Sequence, residues 1–136
     1  MIVVDASVAL AWALPDELST YADVVLARAE DEALYVPELW PREVANGLAI
    51  AFRRQRITIA EETAFLDGLS RLTIRVERTG ALETIRDGAA AARQYGLTAY
   101  DAAYVALAAR EGIELATLDG RMREVALKNG VKVFDA

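Results

Sequence analysis

The chain has 136 residues, of which 54% are hydrophobic and 26% charged, and its formal net charge is −6. This length suits one domain with a substantial core, so we expect a single domain over residues 1–136. The acidic balance argues against a protein that binds nucleic acid through its overall charge alone. Cysteine and histidine are both absent, which excludes disulfides, thiolate metal sites and every catalytic triad that needs histidine.

The residue types that remain also restrict the metal chemistry. A zinc site would have to consist of carboxylates alone, which is uncommon, whereas oxygen ligands suit Mg²⁺ or Mn²⁺. No run reaches the roughly 18 apolar residues of a membrane span, and the first residues lack the basic region of a secretory signal. We therefore expect a cytoplasmic protein with no membrane-spanning segment.

Short apolar strands alternate with helices along the chain. The predicted strands cover residues 2–4, 34–36, 73–76, 114–118 and 131–134. The predicted helices cover residues 7–14, about 18–29, 38–54, 58 or 60 to 69, 80–95, 98–110 and 121–128. Strands that are apolar throughout and joined by helices predict right-handed crossovers and a mainly parallel sheet covered on both faces. The expected fold class is α/β, a three-layer α/β/α sandwich with a central five-stranded sheet.

Two aspartates stand where predicted strands end. Asp5 closes the first strand, and Asp119 lies just past the end of the fourth. Ligands of an open parallel sheet bind beyond the carboxyl ends of strands at the point where the strand order reverses. If these two strands are neighbours there, both carboxylates point into one crevice. Each aspartate has an alternative interpretation as a helix cap or turn residue.

A third acid, Glu43, falls on the apolar face of its predicted helix. It lies between Ile50 and Gly47 on that face, whereas Arg42 and Arg53 lie on the far side. Burying an unpaired carboxylate costs several kcal/mol unless a cation or hydrogen-bond donors satisfy it. A surface salt bridge is the alternative, but it would place Glu43 on the polar face.

The fourth acid, Asp101, shows the same pattern. Tyr104 and Val105 flank it on the apolar face of its helix, and Arg110 lies opposite. The run from Thr98 to Asp101 also resembles a capping box, with the acid in the first helical turn. Both interpretations can hold at once.

Four acids in one crevice would repel each other and raise their own pKa values. A divalent cation relieves that repulsion, and it can activate water and stabilise charge on a phosphodiester. Such chemistry requires no protein nucleophile, which suits a chain without cysteine or histidine. The cluster of Arg53, Arg54 and Arg56 is either a phosphate contact or a solvated helix end.

Four short motifs together resemble the PIN domain. They are Val-Val-Asp-Ala-Ser at 3–7, Pro-Arg-Glu-Val-Ala-Asn at 41–46, Thr-Ala-Tyr-Asp-Ala-Ala-Tyr at 98–104 and Leu-Ala-Thr-Leu-Asp at 115–119. Their order and the chain length are similar to the VapC-type toxins of type II toxin–antitoxin pairs. The resemblance covers essentially the whole chain. Some relatives carry a further acid shortly after the position of Asp119, where this chain has Gly120, Arg121 and Met122.

The resemblance implies an endoribonuclease that depends on Mg²⁺ or Mn²⁺ and cuts RNA, often tRNA or rRNA. It implies that Asp5, Glu43, Asp101 and Asp119 are the catalytic metal ligands, and that Ser7, Asn46 and Thr117 support them. It further implies a homodimer and a cognate antitoxin protein that lies across the active-site groove. Four apolar residues on the early helices are candidates for either contact or for the core: Trp12, Leu14, Leu18 and Tyr21.

Three other functions fit an acidic site on such a sheet less well. A phosphatase of the haloacid-dehalogenase type needs a second Asp two residues after the first, but that position is Ser7. A receiver domain needs an acceptor Asp at the end of the third strand, where Glu77 and Arg78 follow Val76. A PIN-like binding module without cleavage is the stronger rival, although the presence of all four acids argues against it.

Overall fold

The structure is a computed structural model that describes residues 1–135. Its strands are β1 (Ile2–Val4), β2 (Leu34–Val36), β3 (Ile74–Val76) and β4 (Leu115–Ala116). Its helices are α1 (Ala6–Ala13), α2 (Thr20–Ala29), α3 (Trp40–Arg53), α4 (Ile59–Leu69), α5 (Ala81–Tyr95), α6 (Ala99–Glu111) and α7 (Gly120–Lys128). Within residues 1–135, no helix has the length and hydropathy needed to cross a bilayer.

The strands form one parallel sheet in the order β3-β2-β1-β4. On one side of β1, Ile2 pairs with Leu34, and on the other side Val3 pairs with Leu115. The chain therefore leaves β1 in one direction to build β2 and β3, and returns to its other side to build β4. The strand order reverses between β1 and β4, so a crevice opens beyond their carboxyl ends.

Two apolar clusters lie on opposite faces of the sheet, because successive residues of a strand point to opposite sides. Ile2 and Val4 pack with α2 and part of α1, whereas Val3 packs with α3, α6 and α7. All three strand residues are fully buried. The predicted α/β/α class is confirmed.

The predicted five-stranded sheet is wrong in one respect, because the last segment forms a single parallel bridge, between Val133 and Leu115, and no full strand. The cause is visible one residue later. The carbonyl of Phe134 accepts hydrogen bonds from the Tyr21 hydroxyl at 2.9 Å and the Arg123 guanidinium at 3.2 Å. The Phe134 carbonyl is therefore occupied by side chains and does not extend the ladder of backbone hydrogen bonds.

β4 is shorter than predicted for a related reason. The amide of Thr117 donates to the Tyr21 hydroxyl at 3.3 Å, and the amide of Leu118 donates to Ser7 Oγ at 3.0 Å. The sheet thus ends at Ala116, and the next residues are held by side chains.

The helices begin where side chains cap them. α1 begins one residue earlier than predicted, because Asp5 is its cap, and α2 begins two residues later, at Thr20, capped by Ser19. α1 and α3 also cross closely: a β-carbon on Gly47 would lie 2.4 Å from the Leu10 side chain. The side chain of Leu10, in the middle of α1, therefore packs directly against the backbone of α3 at Gly47.

Candidate active site

Asp5 lies at the centre of the crevice and is 3% exposed. Its carboxylate accepts hydrogen bonds from Ser7 Oγ and Thr117 Oγ1, each at 2.6 Å, and from the Val8 amide at 3.3 Å. Burial raises the pKa of Asp5 to about 6, although the three hydrogen bonds lower it and the charge of Asp119 raises it further. Asp5 is therefore held in one orientation while its ionised form is disfavoured.

Two hydroxyls join the ends of β1 and β4. Thr117 Oγ1 donates to Asp5 and also accepts from the Asp119 amide at 3.0 Å. Ser7 Oγ donates to Asp5 and accepts from the Leu118 amide at 3.0 Å. Two of the three positions expected to support the site therefore contact Asp5, and the serine occupies the place where a phosphatase of the haloacid-dehalogenase type would need an acid.

Asp119 and Asp101 both lie in helix N-termini, as the capping interpretation predicted. Asp119 caps α7 by accepting from the Met122 amide at 3.0 Å. The Asp101 amide donates to the Thr98 hydroxyl at 3.1 Å in the first turn of α6. Burial and then the charge of Asp119 raise the pKa of Asp101, while the Thr98 hydroxyl lowers it. Capping and membership of the acidic site thus coexist.

Glu43 approaches the crevice from the first turn of α3. Its Oε1 accepts a hydrogen bond of 2.5 Å from the hydroxyl of Tyr104, which is only 1% exposed. Burial raises the pKa of Glu43, the tyrosine hydroxyl lowers it, and the charge of Asp101 raises it. Glu43 therefore has a fixed donor, and the charge of Asp101 acts on it across the crevice.

The helical pattern of the sequence places Tyr104 only on an apolar face and gives it no role in the site. Its spacing indicates such a role, because a residue three positions after Asp101 lies on the same side of α6. A tyrosine there buries its ring and still needs a partner for its hydroxyl. Glu43 is that partner.

The four acids are close enough for their charges to affect one another's pKa values. The charge of Asp119 raises the pKa values of Asp5 and Asp101, and the charge of Asp101 raises that of Glu43. Over the described part of the chain, however, no three acidic side chains stand close enough together to form a finished metal site. The donor set, four carboxylates and no nitrogen or sulfur, fits a hard cation such as Mg²⁺ or Mn²⁺. Their role as ligands stays a prediction.

A groove of about 810 Å³ extends from Glu43 along the surface. We call it the α3–α5 groove; it is lined by residues 37–39, 42, 43 and 46, residues 77–79 after β3, residues 83, 84, 87, 88 and 91 of α5, and residues 99, 100, 103 and 110 of α6. Asn46 is exposed in this groove beside Glu43. Within residues 1–135 it hydrogen-bonds to none of the four acids, so its predicted supporting role has no contact in the structure.

The arginine cluster lies at the opposite end of α3 from Glu43, about 15 Å along the helix axis. Arg56 pairs with Asp16 at 2.9 Å and with Glu17 at 3.2 Å, which joins the end of α3 to the loop after α1. This residue therefore has a structural role, whereas Arg53 and Arg54 are exposed.

The four apolar candidates on the early helices also differ in whether they are buried or exposed. Leu14 is 5% exposed in the core, and the Trp12 indole donates to the Ala22 carbonyl at 2.7 Å. Tyr21 is tied to the end of the chain through Phe134. Leu18 alone among the four candidates is freely exposed, at 95%.

Comparisons with known proteins identify the family of this chain. The family model of the PIN domain matches residues 2–128. The chain is 36% identical to a protein named Ribonuclease VapC3 of Pyrobaculum aerophilum, over 90% of this chain and 92% of that one. It is 38% identical to Ribonuclease VapC9 of Mycobacterium tuberculosis, over 91% of this chain and 90% of that one.

Two solved structures share the fold. The crystal structure of PAE2754 from Pyrobaculum aerophilum has a TM-score of 0.67 at 27% identity, over 91% of this chain and 84% of that one. That of FitAcB from Neisseria gonorrhoeae has a TM-score of 0.62 at 19% identity, over 99% and 97%, which shows the fold alone. Since the PIN model covers most of the chain and named VapC ribonucleases align along nearly their whole length, this chain belongs to the PIN-domain family and, within it, to the VapC-type ribonucleases.

Proposed function

We propose that this protein is the endoribonuclease toxin of a toxin–antitoxin module, and that it cuts RNA, tRNA or rRNA in particular, by attack of water on a phosphodiester. The observation that carries the proposal is the gathering of four acids around the crevice beyond β1 and β4. Three of them, Asp5, Glu43 and Asp101, have raised pKa values caused first by burial. Groups that are costly to ionise in the free protein suit a site completed by a cation.

We propose Asp5, Glu43, Asp101 and Asp119 as the residues that hold one or more Mg²⁺ or Mn²⁺ ions. When bound, the ion supplies Lewis acidity to the phosphodiester and to the attacking water. The protein supplies orientation: Ser7 and Thr117 fix the carboxylate of Asp5. A cation must displace the proton that Asp5 retains below about pH 6, so acid weakens binding.

Tyr104 has the corresponding role for Glu43. Its hydroxyl donates to one carboxylate oxygen, which leaves the other oxygen of Glu43 for a cation. Partners of this kind orient a ligand before the ion arrives. The buried ring of Tyr104 keeps that hydroxyl in place.

The choice of RNA as substrate is supported by relatives that are named as VapC ribonucleases. The membership of the VapC type also supports an antitoxin as partner. An antitoxin that also contacts the protein away from the crevice could use Leu18, whose exposed apolar side chain lies in the loop after α1, at the end of α3 opposite Glu43. A toxin that cuts cellular RNA acts where that RNA is, so we propose a cytoplasmic location.

We also propose a homodimer. The outer face of α5 exposes Leu82 by 80% and Ile85 by 67%, and α5 has no buried residue. Such side chains favour a protein partner. Light scattering tests the idea: Ile85→Asp should yield monomers where the wild type yields dimers, and a monomeric wild type would contradict it.

Cleavage of purified cellular RNA tests the enzymatic proposal. With Mg²⁺ or Mn²⁺ the wild type should produce defined fragments, and EDTA should stop cutting. Asp119→Asn and Glu43→Gln should each reduce the rate by a factor of at least about 100, whereas the matched control Glu124→Gln alters an exposed acid of α7 and should cut normally.

Two results would contradict the proposal. One is continued cutting by the double variant Asp5→Asn, Glu43→Gln, which would show another mechanism or a contaminant. The other is a wild type that is inert on all cellular RNA with either ion, which would favour a binding module.

A further inference from the structure

The α3–α5 groove is continuous with the acidic crevice, because Glu43 belongs to both. Its volume lies within the range of about 300–1,000 Å³ that is typical of small-ligand sites. The four acids do not fill it, and most of its lining lies beyond them. Any polymer that passes its phosphodiester over the crevice therefore has neighbouring units close to this groove.

An unburied aromatic ring stands at the groove's wall. Tyr100 lies immediately before Asp101, lines the groove and is 67% exposed. It belongs to neither apolar core cluster, so its ring does not serve the stability of the core. Exposed aromatic rings beside a nucleic-acid site stack on unpaired bases, since every base has a flat face.

Three arginines line the groove, and they differ in whether an acid pairs with them. Arg110 pairs with Glu77, and Glu38 accepts a hydrogen bond from the Thr79 amide at 3.1 Å. Within residues 1–135, Arg42 and Arg78 form no ion pair and are exposed. These two cations are therefore available to phosphate oxygens.

Two acids of α5 also line the groove. Glu83 is exposed and, over the described residues, without an ion pair, whereas Asp87 pairs with Arg86 at 3.4 Å. A phosphate is repelled from this wall, but a carboxylate there can accept a hydrogen bond from a base amino group. Within the described residues, the groove thus offers two arginines without an ion pair to a backbone phosphate and an exposed acid of α5 to a base edge, among further acids that also line it.

We propose that the α3–α5 groove binds one unpaired nucleotide of the RNA substrate next to the cleaved bond. Its base stacks on Tyr100, and its phosphate contacts Arg42 or Arg78. This inference rests on the proposed ribonuclease function and deepens it by naming the side chains that hold the nucleotide beside the cleaved bond.

Steady-state cleavage of a short RNA that contains the cut site, mapped beforehand by sequencing RNA 5′ ends, is the first test. Tyr100→Ala should raise KM about 5-fold to 150-fold, as loss of one stacked base does, with kcat nearly unchanged. Tyr100→Phe keeps the ring and should restore the wild-type KM. Phe52→Ala removes a ring that is 50% exposed at the far end of α3 and should have no effect on KM.

The second test does not depend on rates. RNA carrying 5-iodouridine at successive positions around the cut is irradiated with the Asp119→Asn variant, and the cross-linked residue is found by mass spectrometry. A cross-link to Tyr100 from a single position is expected. Cross-links only to residues outside the groove would overturn the inference.

The outcomes separate the two proposals. If the wild type cuts RNA but Tyr100→Ala has the wild-type KM, the groove assignment fails and the ribonuclease stands. If the wild type cuts nothing, the ribonuclease proposal itself fails. If Tyr100→Ala or Arg78→Ala turns a dimer into a monomer in light scattering, a second copy of the chain occupies the groove, and the nucleotide does not.

Discussion

Replacing Asp5 with asparagine should change how the stability of the protein depends on pH. In the protein without metal, burial raises the pKa of Asp5 from 3.8 to about 6. The folded protein therefore binds a proton more tightly at this position than the unfolded chain does. Asparagine has a similar shape but never ionises, so it removes this one titration.

The sign and the size follow from proton linkage. Between pH 3.8 and about pH 6 the folded state carries more protons than the unfolded state, so the free energy of unfolding falls as pH rises through that window. Each pKa unit corresponds to 1.36 kcal/mol, which gives about 3 kcal/mol for Asp5. This stability is present below pH 3.8 and lost above about pH 6.

Urea denaturation in EDTA from pH 3.5 to pH 7.5 measures the effect. The free energy of unfolding of the wild type, minus that of Asp5→Asn, should fall by about 3 kcal/mol across this range. Glu124→Gln, the exposed control, should follow the wild type at every pH. A difference between wild type and Asp5→Asn that stays constant from acid to neutral pH would refute the reasoning.

Three further predictions follow from single contacts. Tyr104→Phe removes the donor to Glu43 and should raise the Mg²⁺ concentration needed for half-maximal cleavage about 10-fold or more; an unchanged metal titration would contradict this. Thr117→Val removes a hydrogen bond that favours ionised Asp5, so the acid limb of the pH profile of kcat/KM should move to higher pH, and an unmoved limb would speak against it. Gly47→Ala places a methyl group against the Leu10 side chain, which must shift, so overpacking of about 1–3 kcal/mol should outweigh a gain of up to about 1 kcal/mol in helix propensity; a variant that is more stable in urea would show that Leu10 moves aside at little cost and would contradict this prediction.

The positions of the four acids could be predicted because they depend on coarse features. Asp5 and Asp119 follow from where strands end, and Glu43 and Asp101 follow from which helix face is apolar. These patterns survive errors of one or two residues in element boundaries. The order of β1 and β4 in the sheet, on which the shared crevice depends, was an assumption that the structure confirms.

What the sequence did not predict depends on hydrogen bonds between distant residues. The hydroxyl of Tyr104 meets Glu43 across 61 positions of the chain, and that of Tyr21 meets Phe134 across 113. Neither pairing has a periodic signature. The second one also shortens the last strand to a single bridge, an outcome that β propensity in that segment could not indicate.

Three of the four carboxylates already have a hydrogen-bond donor from the chain itself, and the fourth lies in a helical turn that is capped without it. Asp5 and Asp119 cap α1 and α7, Tyr104 donates to Glu43, and Thr98 caps α6 by accepting from the amide of Asp101. Helices that are capped in this way do not rely on an ion for their first turns. A chelator should consequently remove the activity without unfolding the protein. Added Mg²⁺ should then restore activity within the mixing time, because no refolding step is needed.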